Sequence, residues 1–177
     1  MQFYPGLHQC GDSWIELRDT TQPQPKHCCE IAARILKKLK SSDTVCEPLF
    51  EALSACYETL YWEQSYTKQD GVVSDAMLSG YAFTELAGSL GPAVSDQIRI
   101  GFGLWDAGIH YPEHAHHAEE VYCVLAGEAT FVVGTRSQQA STGRAVYVPH
   151  NRPHSFSTHS QPLLILYLWQ GLSLIHI

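Results

Sequence analysis

Residues 108–127 read GIHYPEHAHHAEEVYCVLAG, and the spacing inside this run decides the fold. Two glycines bracket His114, His116 and Glu120, and Tyr122 follows two positions later. All four residues share one parity, so an extended chain projects them from a single face, into the interior of a barrel. Imidazole and carboxylate together suit a divalent transition metal such as Fe, Zn, Mn, Co or Ni, and three such groups need a fourth partner or a water. Working outward, Gly143 opens a second segment whose residues 144–154 read RAVYVPHNRPH: a strand runs into a proline-bounded turn that returns His154 to the barrel. His110, His117, His150 and His159 stand at no such offset and are read as solvated or satisfied by neighbours.

Around these segments lie short β-rich runs broken by Gly and Pro. Residues 81–86, 98–105, 120–127, 128–133, 145–149 and 163–169 have strand length and composition, and strands spaced so closely point to a sandwich or barrel. The period differs in residues 26–63. Ile31, Ile35 and Leu39 recur at fours, then Leu49, Leu53, Cys56 and Leu60 at fours and threes, which predicts a helical hairpin with Asp43 or Thr44 as cap and Pro48 in the first turn of the second helix. Its apolar stripes are expected to cover the barrel or a partner subunit, as in a homodimer. His27 and the lysines at 37, 38 and 40 fall on polar faces and are assigned to solvation. The resulting organisation is an N-terminal helical extension over 1–75, with an irregular lead-in to residue 25, a mainly β barrel over 76–171 and a tail over 172–177.

A formal net charge of -7 in 177 residues argues against nucleic acid or an anionic membrane as partner, since nothing offsets repulsion from phosphates. Small molecules are the expected clients. No run approaches the roughly 20 apolar residues of a membrane span, and the first residues lack a basic start followed by an apolar stretch, so a cytoplasmic location is expected. The six cysteines show no C-x-x-C spacing and read as reduced thiols in packing roles. Cys123, next to Tyr122 on a strand, is expected on the opposite face of the sheet.

The two histidine segments resemble the paired signatures of the cupin superfamily, G-x5-H-x-H-x3-E-x6-G and G-x5-P-x-G-x2-H-x3-N. The first is matched at every position. The second is matched through Gly143, Pro149 and His154, with Asn151 in place of Gly and Thr158 in place of Asn. The resemblance implies a single double-stranded β-helix (jelly-roll) barrel holding one divalent transition metal ion per chain, Fe, Zn or Mn, on His114, His116, Glu120 and His154.

More narrowly, GFGLWDAGIHYPEHAHHAEEVYCVLAGEATF with the later YLWQG looks like the cupin-type dimethylsulfoniopropionate lyases of marine bacteria. This implies β-elimination of a small zwitterionic substrate to dimethyl sulfide and acrylate. Tyr122 is the expected general base, its phenol acidified by the nearby cation, with Tyr111 as a second catalytic candidate. Tyr111, Trp169 and Trp105 are the expected aromatic contacts of the sulfonium group through cation–π attraction. Two other classes fit the same ligands: a cupin dioxygenase acting on a small carboxylate or thiol, and a non-catalytic binding cupin. Against the second stands the absence of a recognisable helix-turn-helix segment.

Overall fold

A 17-residue strand, β10 (His154–Gln170), organises the molecule, for which the computed structural model describes residues 16–17, 26–41 and 43–171. Its second half pairs antiparallel with β5 (Ile98–Trp105) on one side and β7 (Glu119–Val133) on the other. Its first half lies between β7 and β6 (His110–His114). β7 also pairs with β8 (Arg136–Ser141) and β9 (Ala145–Val148), while β5 continues to β3 (Tyr81–Gly88). β3 carries β2 (Trp62–Glu63) and, in parallel, β4 (Ala93–Val94), on which β1 (Glu16–Leu17) pairs. The mainly β barrel expected from the motifs is thus built.

The apolar run 163–169 reads continuously because both of its faces are covered. Leu163, Ile165, Tyr167 and Trp169 face the barrel interior, and Leu164 and Leu166 face the helices. Those helices are α1 (Lys26–Leu36) and α2 (Glu47–Cys56), whose Ile31, Ile35, Leu36, Phe50 and Leu53 pack with Phe102, Leu104 and Leu125 on the outer side of the sheet. Each such buried aliphatic side chain stabilises by about 1.5–3 kcal/mol. The hairpin therefore covers its own barrel. Asp43 accepts from the backbone N–H groups of Val45 and Cys46, organising the turn into α2, and Pro48 sits in the first turn of that helix as expected.

Several expectations change. Residues 120–127 and 128–133 form one strand, bent where Gly127 takes φ 82°. A Cβ at Gly127 would fall 1.9 Å from Pro162 O, an approach that no side chain would permit. The strand at 163–169 begins nine residues earlier, at His154. β6, β8 and a short helix, α3 (Asp75–Gly80), carry no strong apolar period. Residues 61–63 are not helical: β2 and β1 bring part of the N-terminal extension into the sheet. Lys38 does more than meet solvent, since its Nζ lies 2.9 Å from both carboxylate oxygens of Asp106 and ties the end of α1 to the end of β5. The rest of the 1–25 lead-in, Cys10, the side chain of His27 and the tail 172–177 lie outside the described residues.

Candidate active site

The register sets the site. Arg99, Trp169 and Glu120 stand side by side across β5, β10 and β7, and one layer below them Gly101, Tyr167 and Tyr122 do the same. Gly101 and Gly103 are inward positions of β5. A Cβ at Gly101 would meet Thr84 O at 2.0 Å and the Tyr167 hydroxyl at 2.4 Å, and one at Gly103 would meet the Trp105 ring at 2.4 Å. The two missing side chains let Tyr167 and Trp105 lie over the strand, and above them opens a cavity of about 580 Å³.

His114 ends β6, His116 lies in the following turn, Glu120 is the second residue of β7 and His154 begins β10, so parity governs Glu120 and Tyr122 while the turn brings the histidines in. The turn before His154 is held by Asn151 at φ 53°, the one non-glycine in the left-handed region among the described residues, and its N–H donates to His116 O. Asn tolerates this conformation, which explains how it replaces Gly. Thr158 also replaces its counterpart: the buried hydroxyl accepts from Ile109 N–H at 2.8 Å and donates to Asp106 O at 2.7 Å.

The ring nitrogens of His114, His116 and His154 gather within 4.8 Å of one another. Their Nδ1 atoms lie 2.9 Å from Pro112 O, Ala118 O and Arg152 O respectively. A carbonyl oxygen can only accept, so each Nδ1 carries a proton and, in the neutral ring, each Nε2 turns a lone pair inward. Glu120 Oε2 then lies 2.9 Å from His116 Nε2 and 3.3 Å from His154 Nε2. Two acceptors at that distance need a cation between them, a proton or a metal. This donor set fits a divalent transition metal.

Electrostatics agree. Burial and the adjacent His154 hold His114 down to about 4, so it is neutral and ligand-ready at pH 7. Burial pulls His116 down too, but the hydrogen bond and charge of Glu120 outweigh this and raise it above its usual range. Burial raises Glu120, yet His116 and His154 overcome that and lower it to about 2.

Tyr122 is buried in the same cavity with its hydroxyl 3.2 Å from His154 Nε2. In the protein's own field burial, then Glu120 and Tyr111, push this phenol well above its ordinary pKa, the reverse of the shift expected beside a cation. Tyr111 packs edge-on to His114 at 5.0 Å and is raised by burial and by Tyr66. Trp105 is enclosed by Tyr81, Tyr111 and Phe156. Trp169 lies 4.3 Å from the His116 ring, and the Arg99 guanidinium sits 5.8 Å over it, so Trp169 already carries one cation. Cys123 lines a separate groove near Cys46, on the opposite face from Tyr122, as parity requires. His110, His117, His150 and His159 are exposed, with partners outside the cluster: Ser157, each other, and Thr130.

Glu63, Tyr66, Glu85, Arg99 and Tyr167 also line the cavity and were not among the sequence candidates. Counting back by twos from Trp105 to Arg99, or forward from Tyr81 to Glu85, would have flagged a charge at an inward position. Tyr66 comes from an irregular segment that has no period.

The sequence profile of the dimethylsulfoniopropionate (DMSP) lyase family matches residues 15–165. Dimethylsulfoniopropionate lyase DddQ of Ruegeria pomeroyi is 30% identical over 161 residues, which cover 89% of this chain and 79% of that protein. A putative dimethylsulfoniopropionate lyase, DddL, of Cereibacter sphaeroides is 26% identical over 167 residues, covering 89% of this chain and 66% of that one. The crystal structure of DddQ from R. pomeroyi superposes with TM-score 0.79 at 26% identity, covering 92% of this chain and 80% of that chain. A chain from the crystal structures of DMSP lyases RdDddP and RnDddQII gives 0.78 at 29%, covering 89% and 80%. With a cupin barrel, a convergent histidine cluster and a family profile spanning most of its length, this chain belongs to the dimethylsulfoniopropionate lyase family.

Proposed function

We propose that this chain is a carbon–sulfur lyase that cleaves dimethylsulfoniopropionate to dimethyl sulfide and acrylate by β-elimination. The observation that carries the reading is the Tyr122 hydroxyl beside the converging Nε2 atoms, 3.2 Å from that of His154. His114, His116, Glu120 and His154 would hold one divalent transition metal per chain, Fe, Zn or Mn. Bound there, the cation supplies Lewis-acid withdrawal from the substrate carboxylate and a positive field that favours the Tyr122 phenolate.

The chain's own residues do the rest. Tyr122 as phenolate takes the proton from the carbon next to the carboxylate. The electron pair left behind forms the double bond of acrylate while the carbon–sulfur bond breaks, and the sulfur leaves with its bonding pair as dimethyl sulfide. No net oxidation occurs. Tyr111, between His114 and Phe156, closes the wall against which the substrate lies and helps to exclude water. The reading places the enzyme in the cytoplasm. No helix among the described residues is long and apolar enough to cross a membrane, and Cys28, Cys29, Cys46, Cys56 and Cys123 are free thiols, which a reducing compartment maintains. Headspace gas chromatography of purified, metal-loaded protein given the substrate tests the proposal: dimethyl sulfide above the metal-only blank is expected, and its absence would overturn it.

A further inference from the structure

We infer that Glu63 selects the positively charged end of the substrate, reading a small onium group from β2, which joins the sheet through β3, with β5 and β10 between β3 and the β7 that carries Glu120. The inference rests on the lyase reading. A zwitterion whose carboxylate goes to the cluster leaves its cation to be met elsewhere in the cavity, and the aromatic surface of Trp169 is already engaged by Arg99 and His116. A second cation drawn to that ring would meet the guanidinium charge.

The carboxylates of the cavity differ in what they have left to offer. Glu85 is pinned by Arg99 Nε at 3.2 Å and by the backbone N–H groups of Leu90 and Gly91. Asp70 accepts from the backbone N–H and hydroxyl of Thr67. Glu120 faces His116 and His154. Glu63 lines the same cavity, yet its carboxylate has no hydrogen bond or ion pair among the described residues.

Its placement is built in. Glu63 and Trp62 form β2, where successive side chains take opposite faces. Trp62 is fully buried in the core beneath the helices, its Nε1–H donating to Tyr57 O at 2.8 Å. Anchoring Trp62 on the outer side commits Glu63 to the inner one. There burial and the charge of Glu85 disfavour its anion, and Arg99 only partly offsets them, so a cation arriving in the cavity relieves an existing strain.

The test compares two ligands of one shape. 4-Methylpentanoate has the carbon skeleton of dimethylsulfoniopropionate with CH in place of S⁺. Glu63→Gln keeps size and removes charge, so KM for the sulfonium substrate should rise about tenfold, the order of one partly screened charge contact, with most of the loss in KM rather than kcat. The Ki of 4-methylpentanoate as competitive inhibitor should stay the same or fall. Glu63→Asp, which withdraws the charge by one methylene, should show the same differential in smaller size. An unchanged KM, or equal shifts for both ligands in either variant, overturns the role of Glu63. A wild-type protein that releases no dimethyl sulfide overturns the lyase reading instead.

Discussion

The Tyr122 hydroxyl lies 3.2 Å from His154 Nε2, so the phenol and the ligand cluster share one small volume. Tyr122→Phe removes the ionisable oxygen and keeps the ring against Phe131 and Phe156. General-base catalysis contributes about 10²- to 10⁴-fold, so kcat should fall at least about a hundredfold while metal content stays at the wild-type level. Elemental analysis and steady-state kinetics on the same preparation check this. Retention of more than about a third of kcat assigns the base to another group.

The four donors predict close to one metal per chain after reconstitution, and almost none in His114→Ala combined with His154→Ala. Metal at about a hundred times its Kd should stabilise the wild type by about 2.7 kcal/mol. For a chain of this size that is a Tm rise of about 5 °C or more, absent from the double variant. Equal metal content in both proteins would remove these residues from the ligand set.

Metal uptake should release protons. With no metal bound, the 2.9 Å contact of His116 Nε2 with Glu120 Oε2 calls for a proton between the two atoms, and Glu120 raises the pKa of His116 above its ordinary value. A group with a raised pKa holds its proton near neutrality, so an entering metal must displace it. Apparent affinity should climb with pH until His116 has titrated and then level off. Calorimetry in two buffers of different ionisation enthalpy counts the protons. A pH-independent affinity between about pH 6 and 8 would contradict the bridge.

Gly101 makes room for the floor of the cavity. Gly101→Ala places a Cβ against Thr84 O and the Tyr167 hydroxyl, so β3 or Tyr167 must shift. Overpacking of this kind costs about 1–3 kcal/mol, so Tm should fall by at least about 2 °C and activity should drop. Gly108→Ala, where nothing lies within 4 Å but φ is 73°, controls for backbone strain without a clash. If both variants behave alike, the close approach at Gly101 has no special weight.

The parts of this molecule that were legible in its sequence are those whose chemistry demands fixed residues at fixed spacing. His114, His116, Glu120 and His154 come together because two glycine-bounded motifs encode turns as well as donors. Leu163–Trp169 was readable as a strand because it is apolar on both faces. β8 was not, since Arg136–Gln139 are exposed and polar and carry no alternation. The continuity of β7 was hidden because Gly127 looks like a turn residue, whereas here it bends a strand. Glu63 is hidden in a segment whose period reads as helix, while Glu85 and Arg99 look solvent-facing, as a charge inside a strand ordinarily is, unless parity is counted from Tyr81 and Trp105. Burial and the charge of Glu120 oppose the Tyr122 phenolate in the protein's own field, so the fall expected of this phenol rests on a bound cation.

The most direct test of the central claim is an anaerobic assay of the metal-loaded wild type beside Tyr122→Phe, following dimethyl sulfide by headspace gas chromatography and acrylate by NMR. Elimination changes no net oxidation state, so the wild type should form the two products in equal amounts without oxygen, and the variant should form at least about a hundredfold less of each. Product that requires O2, or acrylate and dimethyl sulfide in unequal yield, would contradict an elimination at this site and favour an oxygenase.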